Sequence, residues 1–229
     1  MDFTNKNLAV LFKWGDTTVY LTETILNTWI VMGALILLTI VVRIKMRKFK
    51  GAPTGLQNLI ELAVEMMGSF AGETLGEELK LIHGYFFGVF AFIITSNYSG
   101  MLGFRPPTAD LATTAALGLM TFFISHSLGV ARLKLKYLKA FIEPLPVFLP
   151  INIVGKLAEP VSLAFRLFGN LVSGFILMGL VYNLFPLILR FVVPAPLHAF
   201  FDLFAGALQA YVFTVLSMSF IRQTAVGEG

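Results

Sequence analysis

Long runs of apolar residues fill most of this chain of 229 residues and restrict the folds open to it. Hydrophobic residues make up 57% of the chain and charged residues 13%, whereas a soluble domain is roughly 45–50% apolar. A bilayer core of about 30 Å needs about 20 apolar residues per helix. Because a backbone in lipid must satisfy its own hydrogen bonds, we expect an all-α polytopic membrane protein. The apolar windows are Ile25–Val42, Ile82–Phe104, Leu111–Val130 and nearly all of Leu145–Ile221.

These windows predict one membrane domain, residues 1–229, with four parts. Leu59, Ile60 and Ala63 recur at helical spacing opposite Asn58 and Glu61, which is typical of an amphipathic helix in the membrane interface. The last apolar stretch is too long for one upright helix, which favours two long tilted helices. The expected parts are a first transmembrane helix at 24–46, the interfacial helix at 54–76, a transmembrane hairpin at 82–131 and the tilted pair at 145–222.

The basic residues predict the orientation of the chain. They cluster after the first and third apolar windows, whereas the loop at 104–110 has one basic residue, Arg105. Cytoplasmic loops carry the excess of Lys and Arg, so we expect the N-terminus outside and the C-terminus in the cytoplasm. The first residues lack a basic leader, so neither a signal peptide nor a transit peptide is expected. The chain has no cysteine, which excludes thiolate chemistry, and neither a metal site nor a cofactor is expected.

Arg166 is the most informative single residue, because it lies inside a long apolar stretch with no acidic residue within a turn. A guanidinium stays protonated, and a charge at a helix centre in a bilayer costs about 2.5–3.5 kcal/mol on insertion scales. Such a group normally lines a pathway or meets a partner. On a helix, one stripe collects Glu159, Ser162, Arg166, Asn170 and Ser173.

The last predicted helix offers a second polar stripe, with His198, Asp202 and Gln209. Two such stripes on a common surface would create hydrophilic access around one fixed positive charge. The alternative interpretation is structural, with Arg166 in a buried ion pair with Asp202 or Glu159.

Four motifs in this order along the chain resemble subunit a of F-type ATP synthase. The resemblance implies an ion-translocating stator, which has no catalytic activity of its own and faces a rotating ring of c subunits. The motifs are PPTADL (Pro106–Leu111), PIN (Pro150–Asn152), EPVSLAFRLFGN (Glu159–Asn170) and LQAYVF (Leu208–Phe213).

The resemblance also implies roles for residues and for partners. Arg166 would separate two aqueous half-channels and hold an arriving c-ring carboxylate ionised, while Gln209 would orient Arg166. The implied partners are the c ring, peripheral-stalk b subunits, other ATP synthase subunits and the lipid bilayer of a bacterial plasma membrane, with no nucleic acid. The residues expected to line the half-channels are Asn97, Ser99, Glu159, Asn170, Ser173, His198, Asp202 and Gln209.

The chain departs from many proton-coupled relatives at several positions. Phe175 occupies a position where many carry Glu or His, and Gly155–Lys156 and Ser99–Gly100 stand where acids are frequent. Asp202 is then the main half-channel carboxylate, with His198 one turn earlier able to assist it. Neutral oxygens from Ser and Asn also suit sodium, so both H+ and Na+ stay open as the coupling ion.

A stand-alone secondary transporter for an anion is the alternative from a different functional class. Such transporters often contain inverted repeats, and the sequence shows none. Phosphate-binding glycine loops and hydrolase motifs are absent as well.

Overall fold

A computed structural model of the chain describes residues 7–14, 17–47, 55–142, 145–186 and 193–226. It opens with a two-stranded antiparallel hairpin, β1 (Asn7–Trp14) and β2 (Thr17–Thr22), which the sequence analysis did not predict. The hydroxyl of Thr22 then accepts the Ile25 N–H at 3.4 Å. This contact caps the first helix, α1 (Glu23–Met46).

Helices form most of the remaining described residues. Five helical stretches are long and apolar enough to cross a membrane, namely Glu23–Met46, Glu77–Leu102, Leu111–Leu133, Pro146–Leu184 and Pro194–Val226. They confirm the expected class, an all-α polytopic membrane protein. After α1 the helices are α2 (Leu56–Leu75), α3 (His83–Tyr98), α4 (Leu111–Leu133), α5 (Leu135–Ile142), α6 (Leu149–Leu184), α7 (Pro194–His198) and α8 (Gly206–Val226), with a π-helical segment, Ala199–Ala205, joining α7 to α8.

The chain divides into two compact units, each made of three segments. The single membrane domain stays a prediction. The first unit consists of Met1–Arg47, Ala91–Asp110 and Phe168–Ala210, and the second of Lys48–Phe90, Leu111–Leu167 and Tyr211–Gly229.

The core of the second unit lies where the end of α2, the start of α3 and the end of α8 meet. The predicted apolar face of α2 is buried only in its second half, because Leu75 is 1% exposed whereas Leu59 is 68% exposed. The first half of α2 therefore presents apolar side chains outward. The core residues are Ala71, Leu75, Leu79, Phe86, Met218, Ile221 and Ala225.

Polar contacts fix α2 and α4 against α8 in this unit. The Arg222 guanidinium donates to the carbonyls of Glu73 at 3.3 Å and Thr74 at 3.1 Å, near the end of α2 where carbonyls lack helical partners. Thr121 of α4 donates its hydroxyl to that of Ser217 on α8 at 3.2 Å. Interhelical hydrogen bonds of this kind help to hold helices together where the lipid is as apolar as the side chains.

Gly118 marks a close approach between α4 and α6. A Cβ atom at this position would lie 2.6 Å from the carbonyl oxygen of Pro160. That distance is well inside van der Waals contact, and the obstructing atom belongs to the backbone. Only glycine therefore allows the two helices to pack as they do.

Replacing Gly118 by alanine should destabilise the protein, because one helix must shift to admit the methyl group. Overpacking of this kind costs about 1–3 kcal/mol. We expect Gly118→Ala to lower the thermal unfolding temperature of the purified protein in detergent by several degrees.

Gly88→Ala in α3 is the matched control, because a Cβ atom there meets nothing within 4 Å. It should leave the unfolding temperature unchanged or raise it slightly. Equal stability of the two variants would contradict the close approach.

Candidate functional site

The first unit encloses a cavity of about 470 Å³. Its wall comes from the start of α1, the turn after α3, the second half of α6 and the region around α7. Aromatic residues Phe168, Phe175 and Phe201 form part of the wall. A cavity with converging polar groups in an otherwise apolar protein is a natural site for an ion or for water. The polar residues of the wall are Glu23, Asn97, Arg105, Asn170, His198 and Asp202.

Asn97 holds one side of this cavity together. Its side chain is 2% exposed, and its amide donates to the Gly206 carbonyl at 2.8 Å. The Thr108 hydroxyl donates to the Asn97 amide oxygen at 2.7 Å. One side chain thus ties the end of α3 to the turn before α4 and to the start of α8.

Tyr182, His198 and Asp202 form a row of three hydrogen-bonding side chains, of which His198 and Asp202 line the cavity. Nδ1 of His198 lies 2.5 Å from Oδ2 of Asp202, and Nε2 lies 3.1 Å from the hydroxyl of Tyr182. The side chains of His198 and Asp202 are 37% and 24% exposed, so water can reach both. Tyr182 comes from the end of α6, which makes the row a contact between two helices.

Asp202 belongs to the π-helical segment Ala199–Ala205. Continuous π-helix is rare, and short π-helical segments occur frequently at functional sites. The Tyr98 hydroxyl donates to the Leu203 carbonyl of this segment at 3.3 Å. This carbonyl therefore has a hydrogen-bond donor outside the π-helical segment.

Arg166 lies in the second unit, exposed on one face of α6. Within the described parts of the chain, no ion pair or hydrogen bond engages its guanidinium. The adjacent face of α6 is buried at Leu163 and Leu167, which are 2% and 0% exposed. Ser162, Phe165, Gly169 and Ser173 are exposed on the same side as Arg166.

Both acids proposed as structural partners of Arg166 have other partners. Glu159 accepts from the Lys156 ammonium at 2.8 Å, and Asp202 contacts His198. Among the described residues, neither acid is found in the internal ion pair with Arg166 that the structural alternative requires.

Glu159 also influences a neighbour outside the membrane spans. Tyr137 on α5 is 7% exposed, and its hydroxyl finds no partner among the described residues. Burial raises the pKa of Tyr137, and the negative charge of Glu159 raises it further. Tyr137 is therefore held in its neutral form.

The other predicted site residues fall into separate environments. Asn170 lines the cavity, whereas the exposed Ser173 donates its hydroxyl to the Asn170 carbonyl at 2.9 Å. Ser99 is outside the cavity wall and donates to the Ser96 carbonyl at 2.7 Å. Gln209 is 7% exposed, and its Nε2 finds no acceptor in the described part of the chain.

Sequence reasoning missed three residues of the site, Glu23, Arg105 and Tyr182. The sequence analysis gave no interpretation of Glu23 and noted Arg105 only as a loop charge. Tyr182 lies 16 residues before His198 in the chain. No local pattern indicates that pairing, since it depends on how the end of α6 meets α7.

Comparison with known proteins gives a consistent result. A family profile described as ATP synthase A chain matches residues 25–222. The chain is 38% identical over 200 residues to ATP synthase subunit a 1 of Syntrophotalea carbinolica, covering 85% of this chain and 82% of that protein. It is 33% identical over 220 residues to ATP synthase subunit a of Moorella thermoacetica, covering 95% and 96%. It is also 33% identical over 225 residues to ATP synthase subunit a, sodium ion specific, of Propionigenium modestum, covering 90% and 75%.

Removing the Asn97 side chain should loosen the cavity wall. Asn97→Ala deletes the groups that bond Thr108 and the Gly206 carbonyl, and each buried group left unsatisfied costs about 1–3 kcal/mol. We expect a lower thermal unfolding temperature of the complex in detergent.

Asn58→Ala removes the same side chain from an exposed position on α2 and serves as the control. Its unfolding temperature should match that of the unmodified protein. An Asn97→Ala variant as stable as Asn58→Ala would show that these hydrogen bonds do not hold the wall.

Proposed function

Because the chain belongs to the ATP synthase A chain family, we propose that it is the ion-conducting stator facing a rotating ring of c subunits. Membership makes the chain a component of the membrane sector, with an ion-translocating role and with other ATP synthase subunits as partners. The finer proposal is that two half-channels load and unload ring carboxylates. Ion flow along the membrane gradient then drives rotation and ATP synthesis.

The Arg166 guanidinium carries this proposal, because it is exposed and has no hydrogen bond or ion pair among the described residues. A charge on the outer face of a membrane helix costs several kcal/mol unless it meets a partner or water. A carboxylate carried past on another subunit would be such a partner. The small residues Ser162 and Gly169 beside Arg166 leave room for close approach of a neighbouring helix.

Arginine suits this role better than lysine. A desolvated lysine can lose its proton, whereas a guanidinium keeps its charge and binds a carboxylate through two parallel donors. A permanent positive charge also repels a cation that would leak from one half-channel to the other. An arriving acid must therefore release its ion before it passes Arg166.

The cavity of the first unit supports the outer half-channel. Glu23 at the start of α1 and Arg105 in the turn after α3 both contribute to its wall. With the N-terminus outside, as the basic clusters predict, both residues belong to outer ends of membrane spans. Asn97, Asn170, His198 and Asp202 then line the route by which ions enter.

The proposal also includes the membrane in which the protein lies, its orientation there and its stalk partners. The chain is a membrane protein, and we assign it to a bacterial plasma membrane with its C-terminus in the cytoplasm. Peripheral-stalk b subunits would hold it still while the ring turns. The family favours this role over a stand-alone anion transporter.

Both H+ and Na+ remain candidates for the coupling ion. The sodium-specific relative from Propionigenium modestum is 33% identical to this chain, similar to the relative from Moorella thermoacetica. Sequence identity to these two relatives therefore does not indicate whether H+ or Na+ is the coupling ion of this chain.

Arg166→Ala should abolish ATP synthesis driven by an ion gradient, because nothing then separates the half-channels or ionises the ring carboxylate. The subunit should still assemble, since the guanidinium forms no hydrogen bond or ion pair among the described residues. ATP synthesis by the reconstituted complex is the measurement, with subunit content checked on gels.

Lys136→Ala removes an exposed positive charge from α5 and is the control for charge alone. It should support normal synthesis, whereas Arg166→Lys should be strongly impaired. Normal synthesis by Arg166→Ala would refute the proposal.

A further inference from the structure

Tyr182, His198 and Asp202 form an unbroken row of hydrogen-bonding groups on the first unit. A carboxylate can only accept, so Nδ1 of His198 carries the hydrogen that bridges the 2.5 Å to Asp202. When the ring is neutral, Nε2 carries no hydrogen and is an acceptor for the Tyr182 hydroxyl, which lies 3.1 Å away. The two ends of the imidazole therefore have opposite roles, which is the arrangement that a proton shuttle needs.

We propose that Tyr182, His198 and Asp202 form a proton relay that serves the cavity of the first unit, with His198 passing protons to Asp202. This inference rests on the ion-translocating role proposed above and deepens it. It names the proton as the transported ion on this path. It also adds Tyr182 and gives His198 a defined task.

The transfer step balances as follows in protons and charge. A proton delivered to the Tyr182 oxygen displaces the hydroxyl proton onto Nε2 of His198, while the Nδ1 proton passes to Oδ2 of Asp202. Tyr182 keeps one O–H bond, the imidazole stays neutral in its other tautomer, and the Asp202 carboxylate becomes a carboxylic acid. Cavity water restores the first tautomer by taking the Nε2 proton and giving one to Nδ1, because His198 is 37% exposed.

The chemistry of the row favours protons over sodium. Hard cations prefer oxygen ligands, and here a ring nitrogen occupies one oxygen of Asp202. The two other charged residues of the cavity wall, Glu23 and Arg105, carry opposite charges, so together they add no net negative charge for a sodium ion. Phe175 leaves its part of the wall without a titratable group, so Asp202 and His198 are left to carry protons there.

The test compares variants of the whole complex reconstituted in vesicles, with ATP-driven proton uptake as the readout. General acid and base groups contribute large factors to proton transfer, so His198→Ala and Asp202→Asn should each slow uptake at least about tenfold. Tyr182→Phe should slow it about threefold, the size of one lost hydrogen bond. The double variant His198→Ala/Asp202→Asn should be no slower than Asp202→Asn alone, because both act in one chain.

Chemical rescue separates a relay from a structural role. Imidazole added to His198→Ala vesicles should restore a large part of the uptake, since the deletion opens space beside the cavity. The same imidazole should not restore Asp202→Asn, which also controls for any leak that it causes. His198→Gln keeps the size and a hydrogen bond but cannot shuttle protons, and it should be slow with normal assembly.

His83→Gln is the control for losing an imidazole elsewhere. His83 contacts the Gly76 carbonyl at 3.2 Å and takes no part in the cavity wall. Its proton uptake should equal that of the unmodified complex.

Three results would overturn the relay. Normal uptake by His198→Gln, or absence of imidazole rescue in His198→Ala, would show that His198 does not carry protons. Sodium uptake by the unmodified complex that survives a protonophore would show that the path serves sodium. In each of these cases, Arg166→Ala would still be inactive if the stator role is right, so the two proposals fail separately.

Discussion

The absence of water from the hydrocarbon core of a membrane governs this structure. Every backbone N–H and C=O in that layer must find a partner within the protein, and helices achieve this segment by segment. The five long apolar helical stretches follow from that requirement. The same requirement makes each polar side chain in the spans costly, so the few that are present need partners or a function.

Hydrophobic burial alone cannot hold such helices together, because lipid is as apolar as leucine. The two units use polar bonds and close backbone contact instead. Asn97 bonds Thr108 and the Gly206 carbonyl in the first unit, while Gly118 lets α4 approach Pro160 in the second. Substitutions at these contacts are costly. Solvent cannot hydrogen-bond a buried amide that has lost its partner, and it cannot make room for an extra methyl group.

Arg166 on the one hand, and His198 with Asp202 on the other, are two different kinds of polar group. Arg166 is a permanent charge on an exposed helix face, which fits a partner that moves past it. His198 and Asp202 are titratable groups that share a cavity wall and a hydrogen bond. A fixed charge provides a barrier, whereas titratable groups provide passage. The stator proposed here needs both functions, and in this proposal the chain supplies them with different residues.

The sequence by itself determined the class of fold and the family, and it predicted a role for Arg166. Apolar run length is a local property, and an isolated arginine within such a run is visible without coordinates. The hairpin of β1 and β2, the cavity, and the pairing of Tyr182 with His198 came only from the tertiary structure. The cavity and the contact between Tyr182 and His198 bring together segments that are distant in the chain. The hairpin depends on backbone pairing, which produces no periodic pattern of apolar residues in the sequence. Asp202 illustrates the division, because its sequence position suggested a role, while the contact with His198 that gives it a chemical partner depends on the helical geometry of its segment.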